Sequence, residues 1–173
     1  MKILIVSDTH NNIILLEKVL ASNKADILFH LGDNYEDPIK VDFSKYCNSL
    51  YRVPGIYHPG YADRSLQHIE SLDLLGFNLK LVHNIEDINF CQKANQIIFY
   101  GHTHVHNVQK YKSNILINPG HLKSLTDRNQ PASYLIMTVV KSEIIIDMYR
   151  VNSGLKKTYK IKKEKDNKLE LFI

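Results

Sequence analysis

The sequence has no tryptophan, and only two cysteines, seven glycines and five prolines among its 173 residues. Two cysteines, Cys47 and Cys91, are too few for the disulfide framework of a small secreted domain, and a reducing cytosol is the simplest setting. Sparse Gly and Pro beside an apolar share of 44% give no sign of disorder, repeats or low complexity. No apolar run approaches the roughly 20 residues of a membrane span. The opening stretch 1–6 is too short for the apolar core of a signal peptide. These absences favour a soluble, cytoplasmic protein with one domain over residues 1–173, long enough to bury a substantial core.

Excess charge is also scarce. The formal net charge is +4, and residues 155–173 hold all of it, with seven lysines against three acids. A basic tail of this kind, with little aromatic interleaving and no recognition motif, reads as a solvated edge or terminal strand. A nucleic-acid partner is therefore not expected.

Regular structure is readable in the first third. Residues 2–7 form an apolar run that predicts a strand buried on both faces. Residues 13, 16, 19 and 20 have helical spacing, with Asn11 or Asn12 as the cap. Residues 25–30 predict a second strand. Strand, helix, strand opens a βαβ unit with a mainly parallel sheet. Residues 34–48 read as irregular, 49–53 as a third strand, and 54–63 as a loop broken by two Pro and two Gly. Residues 65–75 fit helix or strand equally, 77–82 alternate as a strand, and 85–95 read as a short polar helix or loop. Beyond residue 105, successive strands at 105–111, 115–117, 134–140, 143–151 and 157–161 make the chain β-rich. Two packed sheets in one domain are expected.

The chemistry gathers where apolar runs end. Ile97-Ile98-Phe99-Tyr100 reads as a buried strand, after which Gly101 releases the backbone into His102-Thr103-His104, two imidazoles able to serve one centre. Asp8 and His10 follow the first strand, Asp33 the second and His83 the strand at 77–82. In open α/β sheets, sites lie outside the carboxyl ends of strands. Taken singly, Asp8 could be a helix N-terminal anion, Asp33 a turn former and His83 a core histidine; their shared placement favours a common site. Two carboxylates and four histidines without thiolate suit manganese, zinc, iron or nickel, and outnumber the ligands one zinc uses. That donor count points to a dinuclear centre. His30, His68, His106 and His121 have no comparably clear strand-end role.

In this order, Asp8-x-His10, Gly32-Asp33, His83 and Gly101-His102-x-His104 resemble the calcineurin-like metallophosphoesterases. Asn118-Pro119-Gly120 is similar to a turn of the small bacterial and archaeal phosphodiesterases of that superfamily. The resemblance implies an α/β fold, a four-layer αββα sandwich of two mixed sheets flanked by helices, with the C-terminal strands in the second sheet. It implies two divalent ions, Mn2+ first, with Zn2+, Fe2+, Ni2+ or Co2+ as alternatives. Asp8, His10 and His104 would hold one ion, His83 and His102 the other, and Asp33 would bridge them. The implied activity is hydrolysis of a small phosphodiester or nucleotide-derived substrate by metal-activated water attacking phosphorus in line.

One position departs from that pattern. After the third strand the family places an Asn beside a Gly, as a ligand of the second metal. Here the segment aligns as Gly55-Ile56 or as Gly60-Tyr61-Ala62-Asp63, and neither alignment supplies the Asn. His58 is the first candidate to replace it, as a nitrogen ligand or a phosphate contact, with Tyr61 and Asp63 behind it. A non-catalytic scaffold on the same fold, like the retromer subunit that resembles this family, is the alternative function. An exposed strand edge could also pair two chains into a homo-oligomer.

Overall fold

A computed structural model describes residues 1–90, 95–164 and 166–173, so Cys91 lies outside the described residues. Strand β1 (Lys2–Val6) alternates strictly. Ile3 and Ile5 point into one core, Leu4 and Val6 into another, so a short strand is buried on both faces. Helix α1 (Ile13–Ser22) presses Leu15, Leu16, Val19 and Leu20 onto the second of these cores. Burial of such aliphatic side chains stabilises by roughly 1.5–3 kcal/mol each. Asn12, not Asn11, caps it by accepting from the Leu15 N–H at 3.2 Å. Strand β2 (Ala25–His30) lies parallel to β1.

The stretch read as irregular contains α2 (Asp37–Lys40) and a 3-10 turn at Phe43–Lys45, before β3 (Cys47–Arg52) pairs parallel to β2. The next loop includes a single helical turn, α3 (Pro59–Ala62). The ambiguous residues 65–75 resolve as a strand, β4 (Ile69–Leu74), in a hairpin with β5 (Phe77–Val82). The two linking residues, Leu75 and Gly76, both have positive φ (53° and 83°), as a tight turn between twisted strands requires. A 3-10 turn at Ile85–Asp87 follows, then β6 (Ile97–Tyr100), β7 (Asn107–Tyr111) and β8 (Asn114–Asn118).

A short hairpin of β9 (Thr126–Asp127) and β10 (Gln130–Pro131) precedes β11 (Ser133–Val140), β12 (Glu143–Arg150), β13 (Gly154–Lys163) and β14 (Leu169–Phe172). On β13, one strand in from the edge, Lys156, Lys157, Lys160 and Lys162 are exposed while Tyr159 and Ile161 are buried, so most of the basic tail is solvated.

Two mixed sheets result. The seven-stranded sheet runs β14-β13-β12-β11-β1-β2-β3, and the five-stranded sheet runs β4-β5-β6-β8-β7. Ile3, Phe29, Leu79, Phe99, Ile117 and Met137 meet between them. The outer face of the first sheet is covered by α1, and that of the second by Ile85, Ile88 and Phe90. The sandwich is the expected one, with its second helical layer reduced to one turn among the described residues.

Of the C-terminal strands expected in the second sheet, β7 and β8 lie there, but β11 to β14 do not. The latter extend the first, through antiparallel pairing of β11 with β1 in the register Lys2↔Thr138 to Ile5↔Leu135. The reason is the open edge of β1. With β2 on one side only, its remaining N–H and C=O groups would lie unpaired in the core, and β11, apolar on both faces, satisfies them. The second sheet comes instead from residues 69–118.

Candidate metal centre

The parallel strands β1, β2, β5 and β6 deliver their following loops to one end of the sandwich. Asp8 and His10 follow β1, Asp33 follows β2, His83 follows β5, and His102 and His104 follow β6. The loop backbones are held in unusual conformations. Asp8, His10, His102 and His104 have φ of 52°, 46°, 67° and 63°, a left-handed region that costs a side-chain-bearing residue about 1–3 kcal/mol. Surrounding bonds offset that strain. The His102 N–H donates to both Asp8 carboxylate oxygens at 3.1 Å, and the Asp8 N–H donates to the Gly32 carbonyl.

The ligand atoms converge around Asp33. Its Oδ1 lies 3.3 Å from His83 Nε2 and its Oδ2 3.4 Å from His10 Nε2. His10 Nε2 is 3.1 Å from His104 Nε2, which is 3.4 Å from Asp8 Oδ1. One donor atom from each of Asp8, His10, Asp33 and His104 falls within a 4.8 Å group. On the other side of Asp33, the His102 ring sits 5.2 Å from the ring of His83.

Protonation in this cluster is set by its outer contacts. His83 Nδ1–H donates to the Leu31 carbonyl at 2.6 Å, so that in the neutral ring Nε2 carries the lone pair, completely buried and without a hydrogen-bond partner. A lone pair facing a carboxylate oxygen at 3.3 Å is repulsive unless a cation or proton lies between them, so the donor set fits a metal. Asp127 accepts from His104 Nδ1–H at 2.6 Å and aims the opposite nitrogen at Asp8. Burial would raise the Asp8 carboxyl, but the His104 bond and the nearby His83 hold it below the usual carboxylate range. Burial would likewise lower His104, yet Asp8 and Asp127 together raise it above the ordinary histidine value. Burial pushes His10 down, only partly offset by Asp33. The His104 hydrogen bond holds the Asp127 carboxyl at about 2.

A supporting frame stands behind the ligands. Asn118 is completely buried; its Nδ2 donates to the Gly101 carbonyl at 2.8 Å and the Thr103 hydroxyl at 3.0 Å, and its Oδ1 accepts from the Gly120 N–H at 2.8 Å. One side chain thus fixes the Gly-His-Thr-His loop. The buried Asp37 carboxylate accepts from the Thr9 hydroxyl at 2.7 Å and the Asn11 N–H at 2.8 Å, fixing the loop after β1. Glycine is required where backbone meets ligand. A Cβ on Gly55 would lie 1.7 Å from Asp33 Oδ1, and one on Gly101 would lie 2.0 Å from Ser7 Oγ.

Gly55, therefore, is the glycine that lies against the centre, whereas Gly60 packs on Leu66. The expected Asn position is thus taken by Ile56. His58 lines a cleft of about 230 Å³ together with His10, Asp33, Asn34, Glu36 and Gly55. Its Nδ1 accepts from the Gly60 N–H at 3.0 Å, and its Nε2 faces Glu36 Oε2 at 3.6 Å. Tyr61 turns away, its hydroxyl donating to Asp87 at 2.7 Å, while Asp63 accepts from the Ser65 N–H.

The sequence matches the calcineurin-like phosphoesterase superfamily domain over residues 1–142. The chain belongs to that superfamily. Solved structures show the same fold at low identity. A conserved Streptococcus pneumoniae protein described as a predicted phosphoesterase is 18% identical, with a TM-score of 0.67 over 99% of this chain and 96% of that one. The Escherichia coli phosphoesterase Yfce is 22% identical, with a TM-score of 0.69 over 91% of this chain and 98% of that one. Entamoeba histolytica Vps29 complexed with Zn2+ is 17% identical, with a TM-score of 0.64 over 99% and 98%. No curated protein matches the sequence.

Four of the six metal-ligand candidates, Asp8, His10, Asp33 and His104, form one donor group, and His83 and His102 lie beside it, His83 against Asp33 and the His102 ring against that of His83. Sequence reading missed Asp127 and Asp37 and set His121 aside. His121 is completely buried and stacks on His104, with ring centroids 5.4 Å apart. Of the other histidines set aside, His30 bonds the Thr9 hydroxyl, His68 stacks on Tyr61, and His106 joins the Asn118 carbonyl to the Tyr159 hydroxyl. Among the described residues no helix is long and apolar enough to cross a membrane.

Proposed function

We propose that this chain is a metal-dependent phosphohydrolase, a phosphodiesterase acting on a small or nucleotide-derived ester in the cytoplasm. Asp8, His10 and His104 would hold one divalent ion, His83 and His102 a second, and Asp33 would serve both. When bound there, two such ions, manganese first among them, supply Lewis-acid activation of the phosphoryl group and a hydroxide nucleophile. The observation that carries this reading is the division of Asp33, one oxygen facing His83 and the other His10, with His83 Nε2 buried and otherwise unpartnered.

The remaining roles belong to the chain's own residues. The Leu31 carbonyl and Asp127 keep His83 and His104 presenting Nε2 inward, and Asn118 holds the loop of His102 and His104. The cleft beside His10 and Asp33 would receive the ester. Its described lining contains no lysine or arginine, which suits a singly charged diester better than a doubly charged monoester. Tyr57, on the cleft wall and 85% exposed, offers an aromatic face to a substituent on the ester.

The test is hydrolysis of bis-p-nitrophenyl phosphate and p-nitrophenyl phosphate by metal-stripped protein titrated with Mn2+, with bound metal counted in parallel. We expect turnover that prefers the diester, saturates near two ions per chain and disappears in Asp33→Asn. Metal content of zero or one without turnover on either ester would discard the enzyme and leave the second reading, a scaffold protein. Ile56 beside Gly55, at the Asn position, favours that second reading, as does the likeness to Vps29.

A further inference from the structure

The geometry around His58 decides between the two roles open to it. The Gly60 N–H points at Nδ1 across 3.0 Å as the cap of α3, so Nδ1 must present a lone pair. In the neutral ring the proton then resides on Nε2. A metal ligand at Nε2 needs the opposite tautomer, with the proton on Nδ1, and would have to give up the cap. Nε2–H is thus a donor, and it is uncommitted, because Glu36 Oε2 at 3.6 Å lies beyond hydrogen-bond length.

The ring is also held in place. The Tyr35 ring lies 5.4 Å from it, and Arg52 fixes Tyr35 by stacking its guanidinium 3.7 Å from that ring's centroid and donating to the Tyr35 carbonyl at 2.6 Å. Together these contacts stand His58 on the cleft wall shared by His10 and Asp33.

We infer that His58 is a substrate-binding residue whose Nε2–H donates to an oxygen of the phosphate ester, and that it is not a metal ligand. A donor at this place has meaning only if the cleft receives a phosphate ester, as proposed above. It offers the ester a polar contact from the same loop in which the apolar Ile56 offers none. Glu36, placed opposite the same N–H, would be displaced as the facing acceptor when the ester enters.

Two measurements on the full chain test this. In metal-free protein, 15N NMR of the imidazole should show His58 protonated at Nε2 and unprotonated at Nδ1; the reverse tautomer would overturn the inference. Binding of Mn2+ and then of inorganic phosphate is compared among the unmodified protein, His58→Ala and His58→Ser. Serine keeps a cap acceptor for the Gly60 N–H but is too short to reach the cleft, so α3 is preserved. Both variants should keep the unmodified manganese stoichiometry and bind phosphate roughly ten- to a hundredfold more weakly. Loss of one manganese per chain would make His58 a ligand, and unchanged phosphate affinity would make it a loop residue; either result overturns the inference. If the unmodified protein takes up neither manganese nor phosphate, the phosphohydrolase reading itself fails and the donor role falls with it.

Discussion

His104 and Asp127 are joined by a 2.6 Å hydrogen bond, which ties the β9 hairpin directly to the candidate metal centre. The bond fixes which nitrogen of His104 is free to bind a cation. Asp127→Asn removes the anionic acceptor while keeping shape, and should weaken Mn2+ binding by about ten- to a hundredfold with little change in stability. A competition titration against a chelating dye checks this, and an unchanged affinity would mean that the hairpin is only packing.

Metal uptake should depend on pH through His104. Its raised proton affinity in the metal-free chain comes from Asp8 and Asp127, and a cation must displace that proton. Mn2+ affinity should therefore climb as pH rises through and beyond the ordinary histidine range. Proton release on binding, followed calorimetrically in two buffers, should shrink at the alkaline end and in Asp127→Asn.

His30 predicts an acid weakness in the fold itself. Burial lowers its pKa from 6.5 to about 4, and its Nδ1 has no partner to receive an added proton. Between those values the unfolded chain binds more protons than the folded one. Stability conferred by the neutral ring is complete above pH 6.5 and lost as pH falls toward 4, by roughly 3 kcal/mol. Urea unfolding at pH 7 and pH 4.5, with chelator present, should show the loss, and His30→Leu should flatten it.

Asn118→Ala should be costly at a distance from any ligand atom. Three hydrogen bonds vanish; the Gly120 N–H is left buried without its partner, and the Gly101 carbonyl keeps only the Thr103 N–H. A destabilisation of about 2–4 kcal/mol is expected, with loss of metal binding before loss of fold. Thermal melts with and without Mn2+ separate the two; a variant that melts normally and still binds metal would assign the loop geometry to another group.

How much of this was legible beforehand follows from where the information lies. Asp8, Asp33, His83, His102 and His104 could be found because each ends an apolar run, a local signal that survives without coordinates. Asp127 could not, since it belongs to a two-residue strand with no periodicity and meets His104 only through the folded hairpin. The choice between Gly55 and Gly60 turned on which backbone touches Asp33, a tertiary fact. The strands after residue 133 were recognised as strands, but the sheet that the resemblance implied for them was the wrong one, and alternation could not correct it because it reports burial and does not name the partner.

The pairing of β1 with β11 also sets an order of events. Lys2 meets Thr138, so the strand that carries Asp8 and His10 gains its second neighbour only after most of the chain has been made. Contacts so distant in sequence close late and slowly. During synthesis the ligand-bearing loop would hang from a half-paired strand with an adhesive edge, and a nascent chain stalled before residue 133 would be a candidate for aggregation or chaperone capture.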